Sequence, residues 1–239
     1  MSELFTKESF LYFDQAKRNK KSQKWFDANK ARYQEFVRAP FSHLIKRVQT
    51  ELASELPRIN IDPKKISQPC FRANRIPEDG TLIKPQSTVY LCEKPTSMFE
   101  WNPGIYFSIG QAEEDCLVGL GLYMVSGRQM SRLRDGLEKD FEEVDSILSS
   151  SKFKSKWGGL RGEKYKRFPK GFDETSPAAK YLWHRQFFLG QDLTRSQICS
   201  KKFAETLCKD LKVAVPLLQW IRKSVGVYQG KTRSQNSRE

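Results

Sequence analysis

Three short segments in the middle of the chain, STVYLCE (87–93), GIYFSIG (104–110) and DCLVGLGLYM (115–124), alternate or concentrate β-branched, aromatic and aliphatic residues between clusters of turn formers. With PCFRANR (69–75) ahead of them they make four consecutive strand candidates. The links PEDG, WNPG and QAEED are too short for helical crossovers, so the strands are expected to run antiparallel as a meander. Such a sheet has two faces to cover, and the chain carries helical patterns both before and after it. An order of helices, sheet, helices implies the α+β class, a central antiparallel sheet of about four strands flanked by N-terminal and C-terminal helices.

In the first part, SQKWFDANKARYQEFVRAPFSHLIKRVQTEL places Trp25, Phe26, Tyr33, Phe36 and Val37, then Leu44, Ile45, Val48 and Leu52, at spacings of three and four. This predicts two amphipathic helices, with Ser22 as N-cap of the first and Pro40 at the start of the second. A shorter helix over about 8–19 precedes them. Beyond the sheet, Ser126 and Gln129 form a capping box that opens a helix to about residue 138, and FEEVDSIL extends the helical texture. A basic loop, KFKSKWGGLRGEKYKRFPKGF, follows. Ser176 with Pro177 marks a helix carrying Tyr181, Leu182 and Phe188, and Ser200 begins a long one from Phe203 to Ile221 that Pro216 is expected to kink. Residues 1–228 are read as a single α+β domain, and the polar end, 229–239, as a disordered tail.

A 239-residue chain with 38% hydrophobic residues builds its core without covalent staples. Its five cysteines are odd in number and never spaced C-x-x-C, which speaks against a disulfide framework and against zinc, and they read as small buried hydrophobes. No metal or cofactor is expected. The start, MSELFTKESF, lacks a signal-peptide pattern and the longest apolar run is too short for a bilayer, so a cytoplasmic protein without membrane contact is expected. The net charge of +14 attracts phosphates, nucleic acid or acidic surfaces, and it is concentrated: residues 151–239 hold 20 basic and 7 acidic groups.

Two stretches carry candidate chemistry. In CFRANRIPEDGTLIKP (70–85), Arg72 and Arg75 are followed by a turn and then Lys84. Guanidinium forks suit phosphate or carboxylate, and Lys84 adds a point charge if the hairpin folds back. The two arginines point to opposite faces of a regular strand, so a bulge or turn at Ile76–Pro77 is needed to join them. The plainer alternative is a structural pair bound to carboxylates or loop carbonyls. The second stretch, 152–170, holds Lys152, Lys154, Lys156, Arg161, Lys164, Lys166, Arg167 and Lys170 against one acid, Glu163, interleaved with Phe153, Trp157, Tyr165 and Phe168. Basic grooves with aromatic platforms hold single-stranded nucleic acid. Against this, aromatics in such a loop commonly anchor it to the core, and loop lysines are commonly only solvated. The glycines of GLG (119–121) and the GVYQGKT of 226–232 lack the strand and helix context of nucleotide fingerprints. His43 and His184 have no ligand partner at helical spacing and read as surface or interfacial residues.

Several landmarks taken together resemble the bacterial domain-of-unknown-function family 2461: KWFDANKARYQEFVRAPF (24–41), IDPKK (61–65), the Arg72 and Arg75 pair, GIYFSIG, LVGLGLYM and LRGEKYKRFPKGFDETSPAAKYL (160–182). The resemblance spans nearly the whole chain and implies a single α+β domain; it carries no established activity. The family's motif has the form Arg-x-x-Arg-Asp-x-Arg-Phe-x-x-x-Asp/Asn-Lys-x-x-Tyr. From Arg72 onward this chain keeps Arg72, Arg75 and Lys84, but has Ile76 for the aspartate, Glu78 for an arginine, Asp79 for the phenylalanine, Ile83 for Asp/Asn and Ser87 for the tyrosine.

Three functions follow as expectations. The foremost is a non-catalytic binder of an anionic, phosphate-containing ligand or nucleic acid, using Arg72, Arg75, Lys84, Arg161, Lys164, Lys166, Arg167 and Lys170. An enzyme on a phosphorylated substrate, with Glu78 or Asp79 as a displaced base or metal ligand, is the alternative. A structural or protein-interaction role is the third. The sequence specifies no oligomeric state.

Overall fold

The computed structural model describes residues 4–56, 59, 76–93 and 101–226. Arg72, Arg75 and Cys70, the strand candidate PCFRANR and the polar tail lie outside them. The described chain begins with α1 (Lys7–Arg18), α2 (Gln23–Ala28), α3 (Lys30–Tyr33) and, after one π-helical turn (Gln34–Arg38), α4 (Ala39–Glu51). The sheet strands are β1 (Gln86–Cys92), β2 (Gly104–Gly110) and β3 (Leu117–Leu122). Helices α5 (Gly127–Lys139), α6 (Phe141–Ser149), α7 (Ser151–Trp157) and α8 (Ala179–Leu182) separate β3 from β4 (Phe187–Asp192), and α9 (Arg195–Ile198) and α10 (Phe203–Val225) complete the described chain. The sheet is antiparallel with order β1-β2-β3-β4, and the fold is α+β.

Local chemistry accounts for most boundaries. Ser22 caps α2 by accepting from the Trp25 N–H at 3.1 Å. Ser126 and Gln129 close a reciprocal box at α5, where the Gln129 N–H donates to Ser126 Oγ and the Ser126 N–H to Gln129 Oε1. Pro40 behaves differently from the expected helix start. It sits at the second position of α4, in a helical run that continues unbroken from α3, because the Ala39 N–H reaches back five residues to Gln34 O. The wide turn absorbs the residue whose missing N–H would otherwise interrupt the ladder.

Two expectations are corrected. Residues 152–157, read as the start of a basic loop, lie in α7: Ser150 Oγ accepts from the Phe153 N–H at 3.3 Å, and Phe153 and Trp157, four apart, are both buried. Phe188 does not continue a helix from Tyr181. That helix ends at Leu182, the His184 N–H returns to Tyr181 O, and Phe187 and Leu189 alternate into the core as β4. The fourth strand of the sheet is therefore drawn from 187–192.

The residues group into two compact units. Unit one comprises Met1–Leu91, Ile105–Gly119 and Gly190–Val213. Its core contains Phe5, Phe41, Phe107 and Phe203, with Phe5 set edge-on to Phe41 at 5.3 Å between ring centres. Tyr12 of α1 packs on Trp25 and Tyr33. A cavity bounded by Leu44, Val89, Phe107 and Leu211, among others, is wholly apolar and belongs to this core.

Unit two comprises Cys92–Gly104, Leu120–Leu189 and Ala214–Glu239. Leu133 and Leu137 of α5, Val144 and Leu148 of α6, Phe153 and Trp157 of α7, and Trp220 and Ile221 of α10 are buried in it. The indole N–H of Trp220 donates to Asp140 Oδ2 at 3.2 Å. A largely covered ion pair joins Arg222 to Glu93, with only 13% and 12% of the two side chains exposed. Gly121, at φ +124°, lets β3 approach β4, since a Cβ there would sit 2.8 Å from Phe188 Cα.

Candidate functional site

The predicted site residues fall into two groups. Lys84 belongs to unit one; Arg161, Lys164, Lys166, Arg167 and Lys170 belong to unit two. Arg72 and Arg75 lie outside the described residues.

In unit one, Pro77–Gly80 forms the expected turn, with the Gly80 N–H bonded to Pro77 O at 2.9 Å. The N–H groups of Leu82 and Ile83 both donate to Lys20 O, which docks the turn on the end of α1. Ile83 is completely buried. Position 83 is thus a core position, where an unpaired carboxylate would be costly. Asp79 Oδ1 accepts from the Thr81 N–H at 2.9 Å, and Oδ2 accepts from Thr81 Oγ1 at 2.7 Å and pairs with Lys20 Nζ at 3.4 Å. The Thr81 hydroxyl and amide, with Lys20, lower its pKa to about 2. Such a carboxylate shapes a turn and is a poor proton acceptor. Glu78 is exposed beside it, and Lys84 is half-buried.

In unit two, residues 161–165 run antiparallel to 183–188. Arg161 pairs with Phe188 and Lys164 with His184. The N–H groups of Arg161, Tyr165 and Arg185 donate to the carbonyls of Phe188, Trp183 and Glu163 at 2.8–2.9 Å. Because β4 ends the sheet order, this ribbon pairs with what is otherwise an edge strand. Gly162 makes the fit possible: it has φ +105°, and a Cβ there would overlap Gln186 Oε1 and sit 3.0 Å from Phe188 Cε1. Main-chain bonding thus attaches the ribbon and leaves its side chains outward.

Arg161, Lys164, Lys166, Arg167 and Lys170 are all exposed. Among the described residues, Lys164, Lys166, Arg167 and Lys170 form no ion pair, whereas nearby Arg185 pairs with Glu163 and Lys180 with Asp145, each at 2.5 Å. Lys180 and then the Tyr181 hydroxyl hold the pKa of Asp145 down at about 2. The expected aromatic platforms divide. Phe153 and Trp157 are core anchors, and Phe168 packs edge-on against Trp183 at 5.3 Å. Tyr165 is 37% exposed. Tyr123, at the end of β3, is more exposed still and meets Phe188 edge-on at 5.1 Å.

One residue was missed at the sequence level. Arg134 of α5 places its guanidinium carbon 4.8 Å from the centre of the Tyr165 ring and 6.0 Å from that of Phe172, while Arg185 lies 5.6 Å from the Tyr165 centre. In SRLRDG it stands between Arg132 and Asp135, a mixed-charge pattern that reads as an ordinary solvated helix face. His184 is buried, its Nδ1 has no hydrogen-bond partner among the described residues, and burial, with a smaller effect of Lys164, lowers its pKa. His43 is exposed on α4. Cys92, Cys116 and Cys208 are buried and reduced, and burial raises the thiols of Cys92 and Cys208 to about 11. They act as hydrophobes rather than nucleophiles. Among the described residues no group of three or more His, Cys, Asp or Glu side chains is arranged to hold a metal ion, and no helix is long and apolar enough to cross a membrane.

No curated protein and no solved structure matches the chain. The model of a family described as "Conserved hypothetical protein (DUF2461)" matches residues 8–220. With the match extending from α1 into α10, the chain belongs to the domain-of-unknown-function family 2461.

Proposed function

We propose that this protein is a non-catalytic binder of an anionic, phosphate-containing ligand or nucleic acid, and that the 161–170 segment of unit two is its contact surface. The observation that carries this reading is the state of the cations: Lys164, Lys166, Arg167 and Lys170 are exposed and form no ion pair among the described residues, although paired cations flank them. Backbone bonds hold the ribbon, so these side chains need no carboxylate to stay in place. Tyr165 adds an exposed ring of the kind on which bases stack. An enzyme using Asp79 as base is less favoured, because Thr81 and Lys20 already engage both of its oxygens.

The test is binding of a labelled single-stranded oligonucleotide across a salt series. Affinity is expected to fall linearly with log salt, and replacing Lys166 and Arg167 with alanine should flatten the slope by about 1.4, roughly 0.7 for each single-strand phosphate that is no longer neutralised. An Arg75→Ala variant shows whether the Arg72, Arg75 and Lys84 set contributes. Binding that is insensitive to salt and to both sets of substitutions would remove the proposal.

A further inference from the structure

We infer that Arg134 is an anion-binding residue of unit two and that the Nε–Nη2 edge of its guanidinium takes two oxygens of a phosphate group. Both nitrogens are buried, and neither has a hydrogen-bond partner among the described residues. They form the side of the guanidinium that presents two parallel N–H bonds, the geometry that matches a phosphate or carboxylate bidentately. Two donors of a charged group left without an acceptor are costly, and buried polar groups without a protein partner are uncommon enough to call for an acceptor from outside the chain.

The surroundings fit that role. Tyr165 and Phe172 approach the guanidinium as ring contacts, which steady the cation but offer its N–H bonds no strong acceptor. Glu163, two residues before Tyr165 in the chain, is paired with Arg185. Lys164 and Lys166, on either side of Tyr165 in the chain, add positive field without an ion pair of their own among the described residues. The inference rests on the anion-binding reading of unit two and adds to it the group that gives directional contact. A free nucleotide and a nucleic-acid backbone present the same phosphate oxygens. The competing account is that Arg134 only clamps the 165–172 segment to α5 through its ring contacts.

Arg134→Lys separates the two accounts, because lysine keeps the charge and can sit over a ring but lacks the fork. The full chain is titrated with a labelled single-stranded oligothymidylate, with inorganic phosphate and adenosine monophosphate as competitors, and Lys166→Ala/Arg167→Ala serves as the companion variant. Arg134→Lys is expected to weaken strand binding about tenfold and to abolish competition by inorganic phosphate, with an unchanged unfolding midpoint. Competition by the mononucleotide as strong as by unlabelled strand assigns the phosphate to a free nucleotide, and much stronger competition by strand assigns it to a backbone. Unchanged strand affinity and unchanged phosphate competition in Arg134→Lys overturn the inference; if Lys166→Ala/Arg167→Ala still weakens binding in that case, the broader reading of unit two stands. Absence of binding by the unaltered chain to all three probes overturns both. Should the lysine variant not fold, the Arg134 Nε–H resonance of the unaltered protein decides: phosphate must shift it, and an unmoved signal refutes the assignment.

Discussion

The turn at Pro77–Gly80 in unit one and the ribbon at 161–165 in unit two are both glycine-containing, charged and exposed, but they are attached in different ways. At the turn, Asp79 binds Thr81 and Lys20 while the Leu82 and Ile83 amides bind Lys20 O, so side chains and backbone are both consumed in docking. At the ribbon, the amides of Arg161, Tyr165 and Arg185 provide the attachment, and the cations of 164–170 form no ion pair among the described residues. Charge that shapes the fold and charge available to a ligand are thus distinguished by what the backbone is doing beside them.

This distinction yields predictions of decreasing size. The largest concerns a cation committed to the fold: Arg222→Ala leaves Glu93 largely covered and unpaired, and chemical denaturation should show a loss of about 3 kcal/mol. If the loss were as small as that for a surface lysine, Arg222 would not differ from the ribbon cations. Conversely, Lys166→Glu/Arg167→Glu should lower oligonucleotide affinity at least tenfold, on the order of one phosphate per substitution, while changing stability by no more than about 0.5 kcal/mol. Equal losses of affinity and stability would show that these side chains support the ribbon.

Gly162→Ala should cost about 1 kcal/mol or somewhat more, through its positive φ and the collision with Gln186, and should speed hydrogen exchange at the Arg161 and Tyr165 amides. The smallest effect is at Asp79. Its pKa is lower folded than unfolded, so its contribution to stability is complete above its ordinary value of 3.8 and is lost as pH falls through about 2. An NMR titration should place its midpoint near 2 and show the Thr81 amide moving with it; a midpoint near 4 would mean that the turn does not hold the carboxylate.

Much of this organisation was legible in the sequence because local signals agreed with tertiary ones. The Ser22 cap, the Ser126–Gln129 box, the alternating pattern of β1 and the near-continuous apolar runs of β2 and β3 each depend on residues within a few positions of one another. Where two patterns competed, the reading failed. The lysines of 152–156 suggested a loop, yet Ser150 and the four-residue spacing of Phe153 and Trp157 form α7. Phe188 lay at helical distance from Tyr181, but Phe187 and Leu189 at period two decide for β4. Of the candidate site, the ribbon cations were visible as a charge cluster, whereas Arg134 became visible only when folding carried Tyr165 and Phe172 onto α5.

The most direct test of the central claim is to measure single-stranded oligonucleotide affinity against salt for the unaltered chain and for a variant with alanine at Lys164, Lys166, Arg167 and Lys170. The account predicts a linear fall of log affinity with log salt in the first, a slope shallower by about 3 in the second, and matching unfolding curves. Identical affinities and slopes in two equally folded proteins would contradict it.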